Sequence, residues 1–367
     1  MNQNLALPPP GAPLHWPALD GLRALAVLLV LYNHAPQLLF GDGGHGIWRC
    51  SRGAWLGVDL FFVLSGFLIT SILLQAHGRP GALRRFWLRR ALRIFPLAYA
   101  YLATLALVTW LVPGFLHLRD PAAFGVAAAY LLNFHIATHG WPATALSLLW
   151  SLAVEEHFYL VWPFVVLHLP RRRVVVVVLA LIAMAPLLRA VELSRLGAIG
   201  VYVTTHCRCD TLAWGALLAI GWHSPARERL RRLAGWLLIP SLGCVAWILF
   251  TPLSPLEPTT PEWFLDGGYS AIAASFTVWC AFAVEPPTWL LRGLGNAVLG
   301  RIGRISYGLY VWHVLTAELT VRGLARLGLG ASEPVLVVTW LALLAVTASL
   351  SHRWLEAPLL RLKDRIA

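Results

Sequence analysis

The chain has 367 residues, of which 58% are hydrophobic and only 13% are charged. Soluble domains carry about 25% charged residues, so this composition excludes an ordinary soluble fold and favours many membrane spans. The formal net charge of +12 would suit a nucleic-acid partner, but the basic residues are distributed among the loops between apolar stretches. We therefore predict an all-α integral membrane protein that binds no nucleic acid.

Ten stretches are long and apolar enough to form transmembrane helices, since a span needs about 20 mostly apolar residues. These predicted spans lie at residues 19–40, 54–76, 92–113, 145–168, 174–190, 205–222, 233–251, 268–285, 303–324 and 333–354. Residues 124–136 are apolar but too short to span, so we expect a re-entrant or interfacial segment there.

Basic residues indicate how the spans are oriented. If the N-terminus is cytoplasmic and the spans alternate, cytoplasmic loops hold 20 of the 29 basic residues, while Arg189 and Arg208 belong to outer loops and span ends. Cytoplasmic loops of membrane proteins carry such an excess, so both termini are predicted to be cytoplasmic. We expect one membrane domain at 19–356 between short cytoplasmic tails at 1–18 and 357–367, without a cleaved signal peptide.

The first span carries Arg23 and, eleven residues later, His34. Eleven residues are about three helical turns plus 20°, so both side chains share one face, ~16 Å apart along the axis. Ionisable residues within spans are rare and suggest functional sites. The alternative is that these side chains extend toward the two membrane interfaces.

The second span contains Asp59 and Ser65 in GVDLFFVLSGFLIT. Asp59 lies at a depth similar to that of His34, so adjacent antiparallel helices could bring the carboxylate to the imidazole and orient it. The alternative for Asp59 is a helix cap. Ser65 precedes Gly66, and small residues favour close helix packing; a nucleophilic role is the alternative.

The stretch RRFWLRRALRIFP combines a basic cluster with the start of the third span. Arg93 shares a helix face with Arg90 and with Arg89. Arginine pairs hold phosphates bidentately, although plain anchoring at the cytoplasmic face also explains such a cluster.

Further polar residues occur within the later spans. Glu155 and Glu156 are adjacent and point about 100° apart, so one can face a cavity while the other forms a structural ion pair. The remaining candidates are Arg208, Asp210, Tyr307 and His313, with a span-end salt bridge expected between Arg353 and Glu356.

Seven motifs follow one another along the chain. They are LDGLRALAVLLVLYNH, GVDLFFVLSGFLIT, FWLRRALRIFP, WSLAVEEHFYLVWP, RCDTLAWGALLA, ISYGLYVWH and RWLEAPLLRLKDR. Together they resemble the membrane-bound acyltransferase type 3 family over about residues 17–365. His157 departs from the family, in which glutamine is common at this position.

The resemblance implies transfer of an acyl group, often acetyl, from cytoplasmic acyl-CoA to a hydroxyl of a carbohydrate or similar acceptor. It further implies a bacterial cytoplasmic membrane enzyme of the stand-alone class, without a C-terminal esterase-like domain and without a metal. A neutral imidazole suits removal of the hydroxyl proton, so His34 is the predicted general base, oriented by Asp59 or Glu155.

The other candidates are assigned to the two substrates. Arg90 and Arg93, with Arg89, are predicted to hold the CoA phosphates, and Arg23 to contact a phosphate or the pantetheine arm. Six residues are candidates for substrate binding: Glu156, Ser65, Arg208, Asp210, Tyr307 and His313.

Two alternatives to direct transfer by an enzyme stay open. A covalent acyl-enzyme could carry the acyl group outward. A multi-span transporter, or an export partner for a lipid-linked glycan, would also have buried charges, although transporters often contain inverted repeats, which we do not find here. Membrane lipids are expected partners, and the oligomeric state, including a homodimer, is left open.

Overall fold

The computed structural model describes residues 16–41, 46–112, 114, 122–142, 144–251, 253–255, 257, 259–329 and 332–364. These residues form helices and no β-strand, which confirms the predicted all-α fold. The α-helices are α1 (Pro17–Phe40), α2 (Leu56–Ala76), α3 (Ala82–Leu111), α4 (Ala122–Ala128), α5 (Leu132–His139), α6 (Thr144–Ser147), α7 (Leu149–His168), α8 (Arg171–Val203), α9 (Thr205–Trp222), α10 (Arg227–Phe250), α11 (Tyr269–Val284), α12 (Thr288–Leu294), α13 (Ala297–Arg304), α14 (Ser306–Arg326), α15 (Glu333–Ser351) and α16 (Ala357–Asp364).

Each of the ten predicted spans contains a helix. Among the described residues, seven helices are long and apolar enough to cross a membrane: α1, α2, α3, α8, α10, α11 with the preceding π-helical turn, and α15 with its extension. The other three predicted spans, α7, α9 and α14, carry polar site candidates such as Glu155, Arg208 and His313, which lower their hydropathy. The chain is a multi-pass membrane protein; ten spans and cytoplasmic termini stay predictions.

Helix α2 occupies the centre of the bundle and packs most extensively on α9. The two backbones touch, because a Cβ atom at Gly66 would lie 1.9 Å from the Leu212 carbonyl oxygen. A Cβ atom at Gly215 would likewise lie 2.0 Å from the Val63 carbonyl oxygen. Small residues allow this approach. Helices α1, α7 and α11 also pack on α2, so they surround the α2–α9 crossing.

Replacing Gly66 with alanine is expected to lower the stability of the bundle by about 1–3 kcal/mol or more, since the added methyl group overpacks a backbone contact. Thermal unfolding in detergent measures the loss. Gly243→Ala in α10 is the matched control, because nothing lies within 4 Å of its Cβ position. Equal melting temperatures for the two variants would contradict the close crossing.

The outer surface of the bundle is apolar and rich in tryptophan. Helices α8, α10 and α15 bury little of their length and expose large aliphatic side chains. Trp110, Trp236 and Trp354 are 77%, 83% and 70% exposed. Tryptophan is enriched where membrane proteins meet the lipid–water interface. These helices therefore form the lipid-facing shell around α2.

Two segments differ in detail from the sequence prediction. The fifth predicted span ends at 190, whereas α8 continues to Val203 and bends at Gly197, whose φ of +66° suits glycine. The apolar segment 124–136 divides into α4 and α5 at Tyr130, a non-glycine residue with φ of +56°. Residues 1–15 of the predicted N-terminal tail lie outside the described residues, and the predicted C-terminal tail begins as α16.

Candidate active site

A polar cavity opens between α1, α2, α3, α7 and α14. Its empty space, including the open mouth, is about 820 Å³. Six predicted site residues line it: Arg23, Ser65, Arg90, Arg93, Glu155 and Tyr307. The other predicted site residues are not among the described residues that line the cavity: His34, Asp59, Arg89, Glu156, Arg208, Asp210 and His313. The fold therefore gathers three arginines, one carboxylate and two hydroxyl groups from five helices into one cavity.

Three arginines give the cavity a strong positive charge. Arg23 donates a hydrogen bond to Asp20 at 3.0 Å. Arg90 lies 5.6 Å above the ring of Tyr159, and Arg93 lines the cavity one helical turn further along α3. Within the described part of the chain, neither Arg90 nor Arg93 forms a hydrogen bond or an ion pair. Their guanidinium donors are therefore available to a multiply charged anion, which arginine can hold bidentately.

Glu155 is the acidic group that faces these arginines. Its carboxylate interacts with the charges of Arg90 and Arg93 and with the hydroxyl groups of Ser65 and Tyr159. The two hydroxyl groups are also hydrogen-bonded to each other. Tyr159 was missed in the sequence, although its i,i+4 spacing from Glu155 places both on one face of α7.

Two histidines lie together near the same cavity. The ring centroids of His34 and His313 are 5.0 Å apart. Tyr310, which lines the cavity, lies 5.8 Å from the His313 ring. The Nδ1 atom of His34 is 2.9 Å from the Val30 carbonyl oxygen, and that of His313 is 2.5 Å from the Tyr310 carbonyl oxygen. A carbonyl only accepts, so each Nδ1 donates and each neutral ring presents a basic Nε2.

The structure corrects the predicted role of Asp59. Its carboxylate bonds to Arg208 across the α2–α9 contact, and both side chains are fully buried. The Arg208 guanidinium also lies 4.1 Å from the ring centroid of Tyr269. His34 is held by a backbone carbonyl instead of a carboxylate. Asp59 and Arg208 therefore form a buried ion pair apart from the residues that line the cavity, and within the described part of the chain neither Asp59 nor Glu155 hydrogen-bonds to His34.

Asp210 belongs to a second buried ion pair, with Arg189. The sequence analysis counted Arg189, at the end of the predicted span 174–190, among the outer loops and span ends, but its side chain is fully buried and Nη1 lies 3.1 Å from both Asp210 oxygens. Ser270 accepts from Arg189 at 2.7 Å and donates to Asp210 at 2.5 Å. This network joins α8, α9 and α11.

The salt bridge predicted between Arg353 and Glu356 is replaced by a different contact. Glu356 lies 3.7 Å from His352, whereas Arg353 is exposed.

Residues 16–354, including the whole cavity, match the family described as acyltransferase domain. The chain belongs to this acyltransferase family. The match confirms the family resemblance inferred from the seven motifs. No solved structure matches the chain.

Curated relatives of the acyltransferase domain occur in several bacteria. The peptidoglycan O-acetyltransferase OatA of Listeria monocytogenes is 32% identical over 94% of this chain and 55% of its own length. YrhL of Bacillus subtilis, provisionally named a peptidoglycan O-acetyltransferase, is 33% identical over 94% of this chain and 54% of its own length. A provisionally named O-acetyltransferase of Staphylococcus aureus is 29% identical over 94% of this chain and 57% of its own length. The chain spans about half the length of these relatives.

Replacing Asp59 with asparagine tests the corrected role, because it leaves Arg208 buried without a counter-charge. Breaking a buried pair costs about 3–5 kcal/mol, so we expect a much lower melting temperature. The double substitution Asp59→Asn with Arg208→Gln is expected to recover part of this loss. A variant that melts like the native protein but has lost turnover would instead support a direct role of Asp59 in the reaction.

Proposed function

We propose that the chain is a membrane O-acyltransferase that moves an acyl group from acyl-CoA to a hydroxyl of a carbohydrate. The observation that carries this proposal is the cavity in which Arg23, Arg90 and Arg93 converge beside Glu155. The CoA end of the donor carries several phosphate charges, and three guanidinium groups at one site are suited to bind them. Acetyl-CoA is the simplest donor, in keeping with the O-acetyltransferase names of the relatives.

The direction of α1 supports a path for the donor. The step from Arg23 to His34 corresponds to ~16 Å along the helix, which an extended pantetheine arm can bridge. The phosphates would lie at Arg23, Arg90 and Arg93, with the thioester toward Tyr310 and the histidines. With the N-terminus of α1 in the cytoplasm, the arginine end faces the cellular pool of acyl-CoA.

His34 is proposed to activate the acceptor. The acceptor hydroxyl must lose its proton as its oxygen attacks the thioester carbonyl carbon, and a neutral imidazole near the reacting atoms provides that base. The Nδ1–H bond to Val30 fixes the tautomer with a lone pair on Nε2. Glu155, held beside Ser65 and Tyr159, faces the arginines and is proposed to bind the donor or acceptor through that polar cluster.

The acceptor is proposed to be a bacterial surface polysaccharide such as peptidoglycan, because relatives carry that substrate in their names. The cell location that fits this acceptor is the bacterial cytoplasmic membrane. The alternative of a glycan transporter gives no reason for a cavity in which three arginines converge beside a glutamate.

Reconstitution in lipid nanodiscs tests the proposed function. The purified chain is incubated with acetyl-CoA and a peptidoglycan-derived oligosaccharide; free CoA is measured with a thiol reagent, and the acetylated sugar by mass spectrometry. We expect both products in equal amounts. Movement of an unmodified lipid-linked glycan across vesicles, without CoA release, would instead favour the transporter.

A further inference from the structure

His313 is a fully buried histidine on α14, 279 positions beyond His34 in the chain. Its Nδ1 donates to the Tyr310 carbonyl oxygen, so its neutral ring carries a lone pair on Nε2. Within the described part of the chain, this Nε2 atom is buried and has no hydrogen-bond partner. A buried acceptor without a partner is costly, which calls for a functional reason.

His34 supplies the reason. Its ring centroid lies 5.0 Å from that of His313, and its own Nδ1 is also held by a carbonyl. Two imidazoles that share an N–H···N bond have centroids about 5 Å apart, since about 3 Å separates the nitrogens and each nitrogen is about 1 Å from its ring centre. The centroid distance therefore matches that of two rings joined by one N–H···N bond, and such a bond forms only when one ring is protonated, since neither Nε2 carries a proton while both rings are neutral.

We propose that His313 accepts a hydrogen bond from protonated His34, so that the two imidazoles together hold the proton of the acceptor hydroxyl during acyl transfer. This inference rests on the proposed function. In the reaction, the acceptor oxygen forms a bond to the acyl carbon while its proton moves to Nε2 of His34. The carbon–sulfur bond breaks, and the CoA thiolate leaves with the electron pair. The same proton then passes from the histidine pair to the thiolate, which restores two neutral rings.

Contacts with neighbouring helices hold His313 beside His34. Tyr310 accepts the Nδ1–H of His313 through its carbonyl, while its hydroxyl is hydrogen-bonded to Ser151 at 2.6 Å. The His313 carbonyl accepts from Trp340 at 3.0 Å, which joins α14 to α15. The Nδ1 bond holds the His313 ring, and the other two contacts tie α14 to α7 and α15, so that Nε2 is the ring nitrogen left for His34. His313 is thus a positioning residue that acts through His34.

The histidine pair predicts a non-additive mutant cycle. His313→Asn keeps an N–H that can donate to Tyr310 but removes Nε2; we expect kcat to fall about 30-fold, with the KM for acetyl-CoA within about twofold. His34→Asn is expected to lower kcat about 1,000-fold, and the double variant no further, because the residues act as one unit. A merely structural His313 would make the two losses multiply, which overturns the proposal.

His168→Asn is the matched control for this cycle. His168 also directs Nδ1 to a carbonyl one turn earlier, that of Phe164 at 3.1 Å, but lies exposed at the end of α7. It is expected to keep native kcat. Because His313 is buried, His313→Gln is the second variant: its amide oxygen can accept a hydrogen bond but cannot take up a proton. Because glutamine can still accept the hydrogen bond, His313→Gln is expected to lose less kcat than His313→Asn. Native kcat in folded His313→Asn, or a loss in folded His313→Gln as large as that in His34→Asn, overturns the proposal.

A thiol analogue of the acceptor separates proton holding from packing. A thiol has a pKa of about 8.5, so part of it reaches the site already ionised and needs less help from a base. We expect the loss in His313→Asn to shrink from about 30-fold with the hydroxyl acceptor to less than about threefold with the thiol. Equal losses with both acceptors overturn the role of His313. Absence of CoA release by the native protein with both acceptors would contradict the proposed function itself.

Discussion

Replacing Arg90 and Arg93 together with glutamine is expected to weaken the binding of acyl-CoA by about 10² to 10⁴-fold. Hydrogen bonds to charged groups contribute about 1.5–3 kcal/mol each, so two lost arginine–phosphate contacts cost about 3–6 kcal/mol. Each 1.4 kcal/mol is about tenfold in the dissociation constant. Isothermal titration of nanodisc-embedded protein with acetyl-CoA measures the change.

The basic residues of this chain offer a matched control for that experiment. Arg172 and Arg173 are exposed at the start of α8, and the double glutamine variant there removes the same charge from the protein. It is expected to bind acetyl-CoA like the native protein. A second comparison uses an acyl-pantetheine without phosphates, to which the Arg90/Arg93 variant and the native protein should bind equally. Unchanged affinity for acetyl-CoA in the Arg90/Arg93 variant would contradict the proposed phosphate site.

Replacing His34 with asparagine is expected to abolish most turnover while leaving donor binding intact. A positioned general base contributes about 10² to 10⁴-fold to a rate, and asparagine can still donate to the Val30 carbonyl while lacking a basic Nε2. Single-turnover release of CoA measures the rate, and titration with acetyl-CoA measures the affinity. The affinity should hold because Arg23 lies ~16 Å from His34 along α1, and Arg90 and Arg93 belong to a different helix, α3.

The His34 experiment also distinguishes two explanations of a lost activity. If the His34 side chain only extends toward a membrane interface, His34→Asn should retain native turnover. That result would contradict the assignment of His34 as the general base. If the substitution instead disrupts α1, the melting temperature and the affinity for acetyl-CoA should fall together. Loss of turnover alone, with both of the other measurements unchanged, is the expected result.

Periodicity within single helices predicted much of the candidate site. The eleven-residue step placed Arg23 and His34 on one face of α1, and the i,i+3 spacing did the same for Arg90 and Arg93 on α3. Arg23, Arg90 and Arg93 do line one cavity with Glu155. Such relations follow from the repeat of the helix itself, so they are already present in a short stretch of sequence.

The relations between helices were harder to predict. Equal depth suggested that Asp59 meets His34, but Asp59 bonds to Arg208, which lies 149 positions further along the chain. Arg189 was expected at the outer end of a span, yet Asp210, Ser270 and two backbone carbonyls satisfy it inside the bundle. Depth in a membrane fixes only one coordinate of a side chain and leaves its rotation toward a given neighbour undetermined.

The sequence by itself determined that this chain is an all-helical membrane protein of the acyltransferase family, because apolar length and short motifs are local properties. Only the tertiary structure decided which polar groups share a space. The contact of α2 with α9 at Gly66 and Gly215 brings Asp59 to Arg208, and the packing of α1 on α14 brings His313 to His34. Those pairings depend on how closely and at what rotation helices pack, which no single stretch of the chain encodes.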